Sequence, residues 1–374
     1  MSSNKHKEQG DIQKRLEGFL PGWYPNFHQP LGCVFIQKKT FRWSEHLIFQ
    51  ILERDAPCRK ILVKLPRVLS KGNRQQNIDL PSEGRSRLEY QALASLHEYF
   101  YDGKVQGINA VRPLAYFSDI DALVLEYLPG ENFLNILKKA GIFFGMFSDH
   151  ALAHKVAFDA GRLLAYLHQI SYSSLPITKS VDEFYLAQNL ENKKDRLLAL
   201  DPSGQTEKQI LYMNSLITEY LSKTHIDVQI TKLHGDYYPE NIVRLPSGSV
   251  FTVDTILNQI GPMEQDIIKF LVGTEITKQH VLFGSFGVDK RVAKGINQDF
   301  LNGYQSIRDI NQNTLIAFWG LGLIQRWIEM LEVLESHLPS LWDSFLVKAR
   351  IRFFMLRRME SLQKALEKEI SLYE

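Results

Sequence analysis

Residues 233–255, LHGDYYPENIVRLPSGSVFTVDT, hold two aspartates and an asparagine within one short, turn-interrupted stretch: Asp236, Asn241 and Asp254. Carboxylate and amide oxygens are hard donors. A few of them, completed by phosphate oxygens, suffice for magnesium, and a further carboxylate outside the metal's shell can orient an attacking hydroxyl and receive its proton.

Three separated oxygens are useful only if the chain gathers them. NIVRL and VFTVD are short β-prone runs, and PSGS between them supplies the proline and glycine of a reversal. An antiparallel register that sets Leu245 opposite Val250 and Ile242 opposite Val253 brings Asn241 beside Asp254, 13 positions away in sequence. Asp236 lies just upstream in HGDYYPEN, whose glycine and proline suit a loop rather than a helix.

The rest of the chain must carry this hairpin. At 374 residues it is long for a single compact core, and 44% hydrophobic with 23% charged residues is the composition of a globular protein. A formal charge of +2 supplies no electrostatic reason for a nucleic-acid or acidic-membrane partner. Cys33 and Cys58 are too few for a disulfide scaffold and read as reduced and buried. The charged N-terminus lacks the apolar core of a signal peptide, and LIAFWGLGLI (315–324) is too short to span a bilayer, so a cytoplasmic protein without membrane insertion is expected.

Pattern changes divide the chain in three. Residues 1–30 read as an irregular leader, with Trp23 and Tyr24 as candidates for packing onto the small lobe. Residues 31–128 mix strands (CVFIQ, HLIFQIL, KILVKL, AVRPLAYF, ALVLEYL) with one helix, RSRLEYQALASLHEYF, whose Leu88, Leu93 and Leu96 form an inward stripe. Residues 129–374 are mainly helical, with long periodic stretches at 148–170, 206–223 and 313–368. The fold class is α+β: a small sheet-containing N-lobe and a larger helical C-lobe.

The order Asp, four residues, Asn, hairpin, Asp is the arrangement described for phosphoryl transfer in kinases. HGDYYPEN followed by VFTVDT resembles the catalytic loop and metal-binding strand of the aminoglycoside phosphotransferase and choline kinase family, which has the bilobal protein-kinase-like fold. The resemblance covers most of residues 31–275 in order and is sharpest at 234–254. It implies that Asp236 is the catalytic base, that Asn241 and Asp254 are the Mg2+ ligands, and that ATP or GTP is the donor. Lys64 in KILVKLPR occupies the place of the phosphate-holding lysine, and Glu89 that of its partner, with Glu83 as a competing carboxylate. LVLEYLPG, centred on Glu126, Tyr127 and Leu128, corresponds to the lobe connection whose backbone meets adenine. His234 is implied to support the loop, and Asp266, after a Gly-Pro turn, to anchor or cap.

The implied partners are the nucleotide and a small-molecule hydroxyl acceptor such as an aminoglycoside, amino alcohol or sugar. Gly235 lacks the arginine with which many protein kinases meet an activation-loop phosphate, which favours a small acceptor over a protein. Two departures stand out. Thr255 replaces an aromatic residue common in the family, and KKTFRWSEH, between the first two strands, has no glycine, leaving Thr40 and Ser44 as candidate phosphate contacts or solvated loop residues. In the helical lobe, Glu329, Glu332 and Glu335 together with Asp266 either favour a cationic acceptor or form a solvated face, and Trp319 and Trp327 either stack on a ligand or pack in the core. A kinase-like scaffold without turnover and a protein kinase are the alternative readings.

Overall fold

The computed structural model describes residues 2–26, 31–41, 44–52, 59–66, 84–101, 105–141, 150–172, 178–180, 183–224, 227–257, 259–277, 290–337 and 341–371. Cys58, Glu83 and the side chain of Glu335 lie outside this set. The chain forms two compact units, Met1–Gly130 with Leu245–Leu257, and Glu131–Arg244 with Asn258–Glu374.

The first unit is an antiparallel sheet with one helix on its core face. Strands β1 (Gly32–Thr40), β2 (Ser44–Leu52), β3 (Lys60–Pro66), β4 (Pro113–Phe117) and β5 (Ala122–Glu126) are ordered β1-β2-β3-β5-β4. Their alternation puts Cys33, Leu47, Phe49, Ile51, Ile61, Val63 and Val124 on the core side. Residues 2–23 correct the expected irregular leader: Ser2–Trp23 is helix α1. Ile12, Leu16 and Leu20, at four-residue spacing, enter the sheet's core with Tyr24, while Trp23 is partly buried against it. Arg15 Nη1 donates to both oxygens of Asp119 at 2.8 Å, and its guanidinium carbon lies 3.9 Å from the Phe117 ring centre. The low hydropathy of α1 and the Pro21-Gly22 pair hid this three-residue stripe.

Helix α2 (Arg85–Tyr101) buries Glu89, Leu93, Leu96 and Phe100, while Leu88 is only half-buried. Spacings of four, three and four residues keep the buried set on one face. The segment carrying Asp254 is fastened to the same unit by a parallel bridge: Val250 N donates to Gly107 O and Asn109 N to Val250 O, both at 2.9 Å. Its turn closes between Leu245 N and Ser249 O at 2.8 Å, one residue short of the expected Leu245–Val250 pair. Gly248, at φ +95°, supplies the left-handed residue of this shorter loop.

The second unit is built mainly of helices: α3 (Phe133–Gly141), α4 (His150–Tyr172), α5 (Glu183–Leu200), α6 (Gly204–Lys223), α7 (Glu264–Glu275), α8 (Lys290–Gln305), α9 (Gln312–His337) and α10 (Leu341–Ile370). Among the described residues no helix is long and apolar enough to cross a membrane. Helices α4 and α8 meet backbone to backbone, since a Cβ on Gly161 would lie 2.0 Å from Phe300 O and one on Gly303 2.0 Å from Phe158 O. Trp327 is fully buried and Trp319 half-buried, so core packing holds Trp327. Strands β6 (Glu131–Asn132) and β9 (Ile242–Arg244) pair, and the Asp254 segment begins with β10 (Val250–Thr252). Strands β7 (Thr178–Ser180), β8 (Asp227–Leu233) and β11 (Gln259–Pro262) form a further sheet in the order β11-β8-β7. The Leu233–Gln259 pair at the end of β8 fixes where the loop carrying Asp236 begins.

Candidate active site

Within the second unit, the loop after β8 is anchored from beneath. Asp266, in the first turn of α7 and fully buried, accepts from His234 N at 2.7 Å, Gly235 N at 3.0 Å and the His168 ring at 3.3 Å. Burial pushes its carboxyl up, but the hydrogen bond and charge of His168, with Lys269 and His234, hold it below the ordinary range. Loop anchoring is therefore what Asp266 does. Lys269, one turn further along α7, donates to Gly235 O.

Gly235 has φ +81°, and a Cβ there would lie 2.8 Å from Gln259 Oε1. Backbone conformation is sufficient reason for glycine at this position, beside the missing arginine read from sequence. His234 is 4% exposed, and its Nδ1 accepts from Asp236 N at 3.3 Å, a supporting role.

The next residues clamp the loop on both sides. Tyr237 is fully buried and donates to Ala160 O at 2.8 Å; Tyr238 is buried and donates to Glu329 Oε1 at 3.0 Å. Asp236, between His234 and these tyrosines in sequence, is left exposed. Its side chain is nonetheless placed: Asn241, at the end of the single 3₁₀ turn Pro239–Asn241, donates from Nδ2 to Asp236 O at 2.8 Å and to Asp236 Oδ2 at 2.7 Å. With its amide nitrogen committed, Asn241 offers its carbonyl oxygen as the atom suited to a metal.

Within the first unit, Lys64, Glu89 and Asp254 form one cluster. Lys64 Nζ lies 2.7 Å and 2.9 Å from the two oxygens of Glu89 and is also bonded to Asp254 Oδ1. Burial opposes the charge on Lys64, but Asp254 and Glu89 outweigh it and hold the ammonium above its ordinary value. Burial pushes the Glu89 carboxyl up, against the pull of Lys64. Asp254 keeps 40% side-chain exposure and is held down to about 2, chiefly by Lys64. It stands at φ +58°, a left-handed conformation uncommon for a residue with a Cβ. Thr255 beside it is fully buried and packs inward.

Residues 57–308 match the model of the phosphotransferase enzyme family. The chain belongs to that family. Solved structures with the same fold include a glucosamine kinase in one crystal form (14% identity, 87% of this chain and 94% of that one, TM-score 0.52). A choline/ethanolamine kinase family protein from Mesorhizobium loti is similar at 10% identity over 96% of this chain and 98% of that one, with TM-score 0.51. A glucosamine kinase in complex with glucosamine, ADP and inorganic phosphate is similar at 14% identity, 88% and 94% coverage and TM-score 0.50. These likenesses show the fold, an α+β protein-kinase-like one. No curated protein matches the chain.

In this phosphotransferase the connection after β5 presents a defined set of backbone groups. Glu126 N donates to Arg112 O and Tyr127 N to Lys60 O, both at 2.9 Å. Among the described residues nothing accepts from Leu128 N–H, which leaves it as a donor for a ligand. The Glu126 side chain lies 3.6 Å from Arg59.

Sequence reasoning missed His46. It pairs across the strands with Lys64, bonds to Ser44 Oγ at 3.1 Å, and is pushed down to about 4 by burial and by the charge of Lys64. Neutral imidazole beside the ammonium avoids a second buried cation. Alternation along β2 could have placed it on the Lys64 face; the register to β3 could not be read locally.

Of the carboxylates expected to favour a cation, the three whose side chains are described are already occupied. Glu329 accepts from Tyr238, from Gln325 at 2.9 Å and from Arg326 at 3.4 Å; Glu332 is paired with Arg196; Asp266 serves the loop backbone. Two lysines nearby, Lys193 and Lys269, were not singled out from sequence.

Proposed function

We propose that the protein transfers the γ-phosphoryl group of ATP or GTP to a hydroxyl of a small molecule. The observation that carries this reading is the catalytic loop, which exposes Asp236 while fixing its carboxylate through Asn241. Asp236 orients the acceptor hydroxyl. As the acceptor oxygen bonds to the γ-phosphorus and the bond to the bridging β–γ oxygen breaks, Asp236 takes the hydroxyl proton and the nucleoside diphosphate leaves. Lys64, kept charged by its carboxylate partners, steadies the donor's phosphates, and Glu89 holds Lys64 in place. Leu128 N–H and the backbone around Glu126 receive the nucleobase.

Asn241 and Asp254 are the residues that would hold magnesium. Among the described residues no group of three or more His, Cys, Asp or Glu would bind a metal by itself. One carboxylate and one amide oxygen nevertheless fit an ion that keeps water and takes donor phosphates as its remaining ligands. When bound, magnesium would neutralise charge developing on those phosphates.

The test is turnover with ATP and GTP across a panel of hydroxyl acceptors, set against Asp236→Asn. Loss of general-base catalysis is expected to lower kcat by about 10²–10⁴-fold with nucleotide affinity retained. Equal turnover in the variant would refute the assignment.

A further inference from the structure

Lys193 on α5 and Lys269 on α7 each donate to a neutral carbonyl oxygen that is tied to the catalytic loop. Lys269 donates to Gly235 O, one residue before Asp236. Lys193 donates to Gln325 Oε1 at 2.5 Å, and Gln325 in turn donates to Glu329 Oε1, the same oxygen that receives the Tyr238 hydroxyl. Both lysines are partly buried, and the charge of Lys269 bears on Lys193.

Among the described residues the surrounding ions form close pairs, whereas Lys269 meets Asp266 and Lys193 meets Glu329 only at longer range. Arg326 lies 3.6 Å from Glu240 and 3.4 Å from Glu329, and Arg196 is bonded to Glu332. Among the described residues neither Lys193 nor Lys269 forms an ion pair with a carboxylate. Glu329 lies close enough to favour Lys193's charge, yet Tyr238, Gln325 and Arg326 already occupy both its oxygens. Partial burial of two ammonium groups that repel each other costs free energy that a nearby anion would offset. Burial, with Lys269, pushes Lys193 down to about 8, as expected of a cation awaiting a counter-charge.

Resting on the phosphotransferase reading above, we propose that the acceptor carries an anionic group, a carboxylate or a phosphate monoester, received by Lys193 and Lys269 while its hydroxyl lies at Asp236. Glu329 and Glu332 of α9, which suggested a cationic acceptor, are used internally and do not supply it with a counter-ion.

Calorimetric titration at saturating ADP and magnesium tests this, with glycerate and inorganic phosphate as anionic probes and choline and glucosamine as cationic ones. The protein is expected to bind at least one anion, with Lys193→Gln weakening it by about tenfold or more and Lys193→Arg restoring most of the affinity. Which probe binds distinguishes carboxylate from phosphate. Phosphate seated at the vacated γ-position would be indifferent to Lys193, so equal affinity in wild type and Lys193→Gln overturns the proposal. Absence of anion binding, or tighter binding of choline or glucosamine, overturns it too. Failure of ADP to bind would instead count against the phosphotransferase reading, and the same anion titration without nucleotide would still read Lys193.

Discussion

Two lysine environments in this molecule are built in opposite ways. Lys64 holds one ammonium between two carboxylates, and its charge is secured well above its ordinary range. Lys193 holds its ammonium on an amide oxygen with Lys269 nearby, and its charge is given up more readily than in water. Burial opposes both charges; the difference lies in what burial is set against. The first cluster is complete without a ligand, whereas among the described residues the second has no carboxylate paired directly with its ammonium groups. A cation that is already neutralised can steady a ligand without large rearrangement, and a cation that is not selects for the ligand's sign.

The comparison breaks most strongly at Lys64. Lys64→Met leaves Glu89 buried without its counter-ion, and urea unfolding near pH 8 is expected to show a loss of about 3 kcal/mol. Adding Glu89→Leu should recover a large part. A single variant as stable as wild type would mean that the cluster is not what secures Lys64.

A smaller effect is expected at Gly235, the residue to which Lys269 is tied. Gly235→Ala meets the left-handed backbone penalty of about 1–2 kcal/mol in addition to the Gln259 contact. If the conformation is what matters, pairing it with Gln259→Ala should leave most of that loss in thermal unfolding.

Lys193 should behave in the opposite sense to Lys64. Lys193→Met removes a desolvated, unmatched cation, so ligand-free stability is expected to hold or rise, by on the order of 1 kcal/mol against the lost bond to Gln325. A destabilisation as large as that of Lys64→Met would erase the contrast.

The smallest effect is a slope. Lys193 titrates near 8 in the folded chain and near its ordinary 10.5 when unfolded, so between these values the unfolded state binds more protons. Its contribution therefore makes stability rise with pH across that window. Comparing the melting temperature of wild type and Lys193→Met from pH 8 to 10 should show a shallower rise in the variant. Anion affinity should fall over the same range, as the receiving ammonium is lost.

Much of the candidate site was legible because its chemistry is local. HGDYYPEN, with its glycine, its proline and the Asp236–Asn241 pair, specifies a bent loop, and the structure explains each constraint: a left-handed Gly235, a 3₁₀ turn at Pro239 and an amide that reaches back five residues to Asp236. In α2 the expected stripe was right at Leu93 and Leu96 but one residue off at its start, where Glu89 and not Leu88 is buried, since periodicity alone does not put a carboxylate on the inward face. Helix α1 was not legible, since a narrow stripe in a polar segment becomes a helix face only when a sheet is there to cover it. The turn at Gly248 was misjudged by one residue, because strand propensity is blind to register.

By itself, then, the sequence determined the residue types able to do phosphoryl-transfer chemistry, their order and the elements that carry them, since these come from spacing and short-range conformational preference. Only the tertiary structure decided which charges are spent and which remain. Glu329, Glu332 and Asp266 look available on a helix or after a turn, and each is committed to a partner 31 or more positions away; Lys193 and Lys269 look like solvated charges and carry no carboxylate among the described residues. Charge balance is a sum over neighbours in space, and neighbours in space are what folding alone selects.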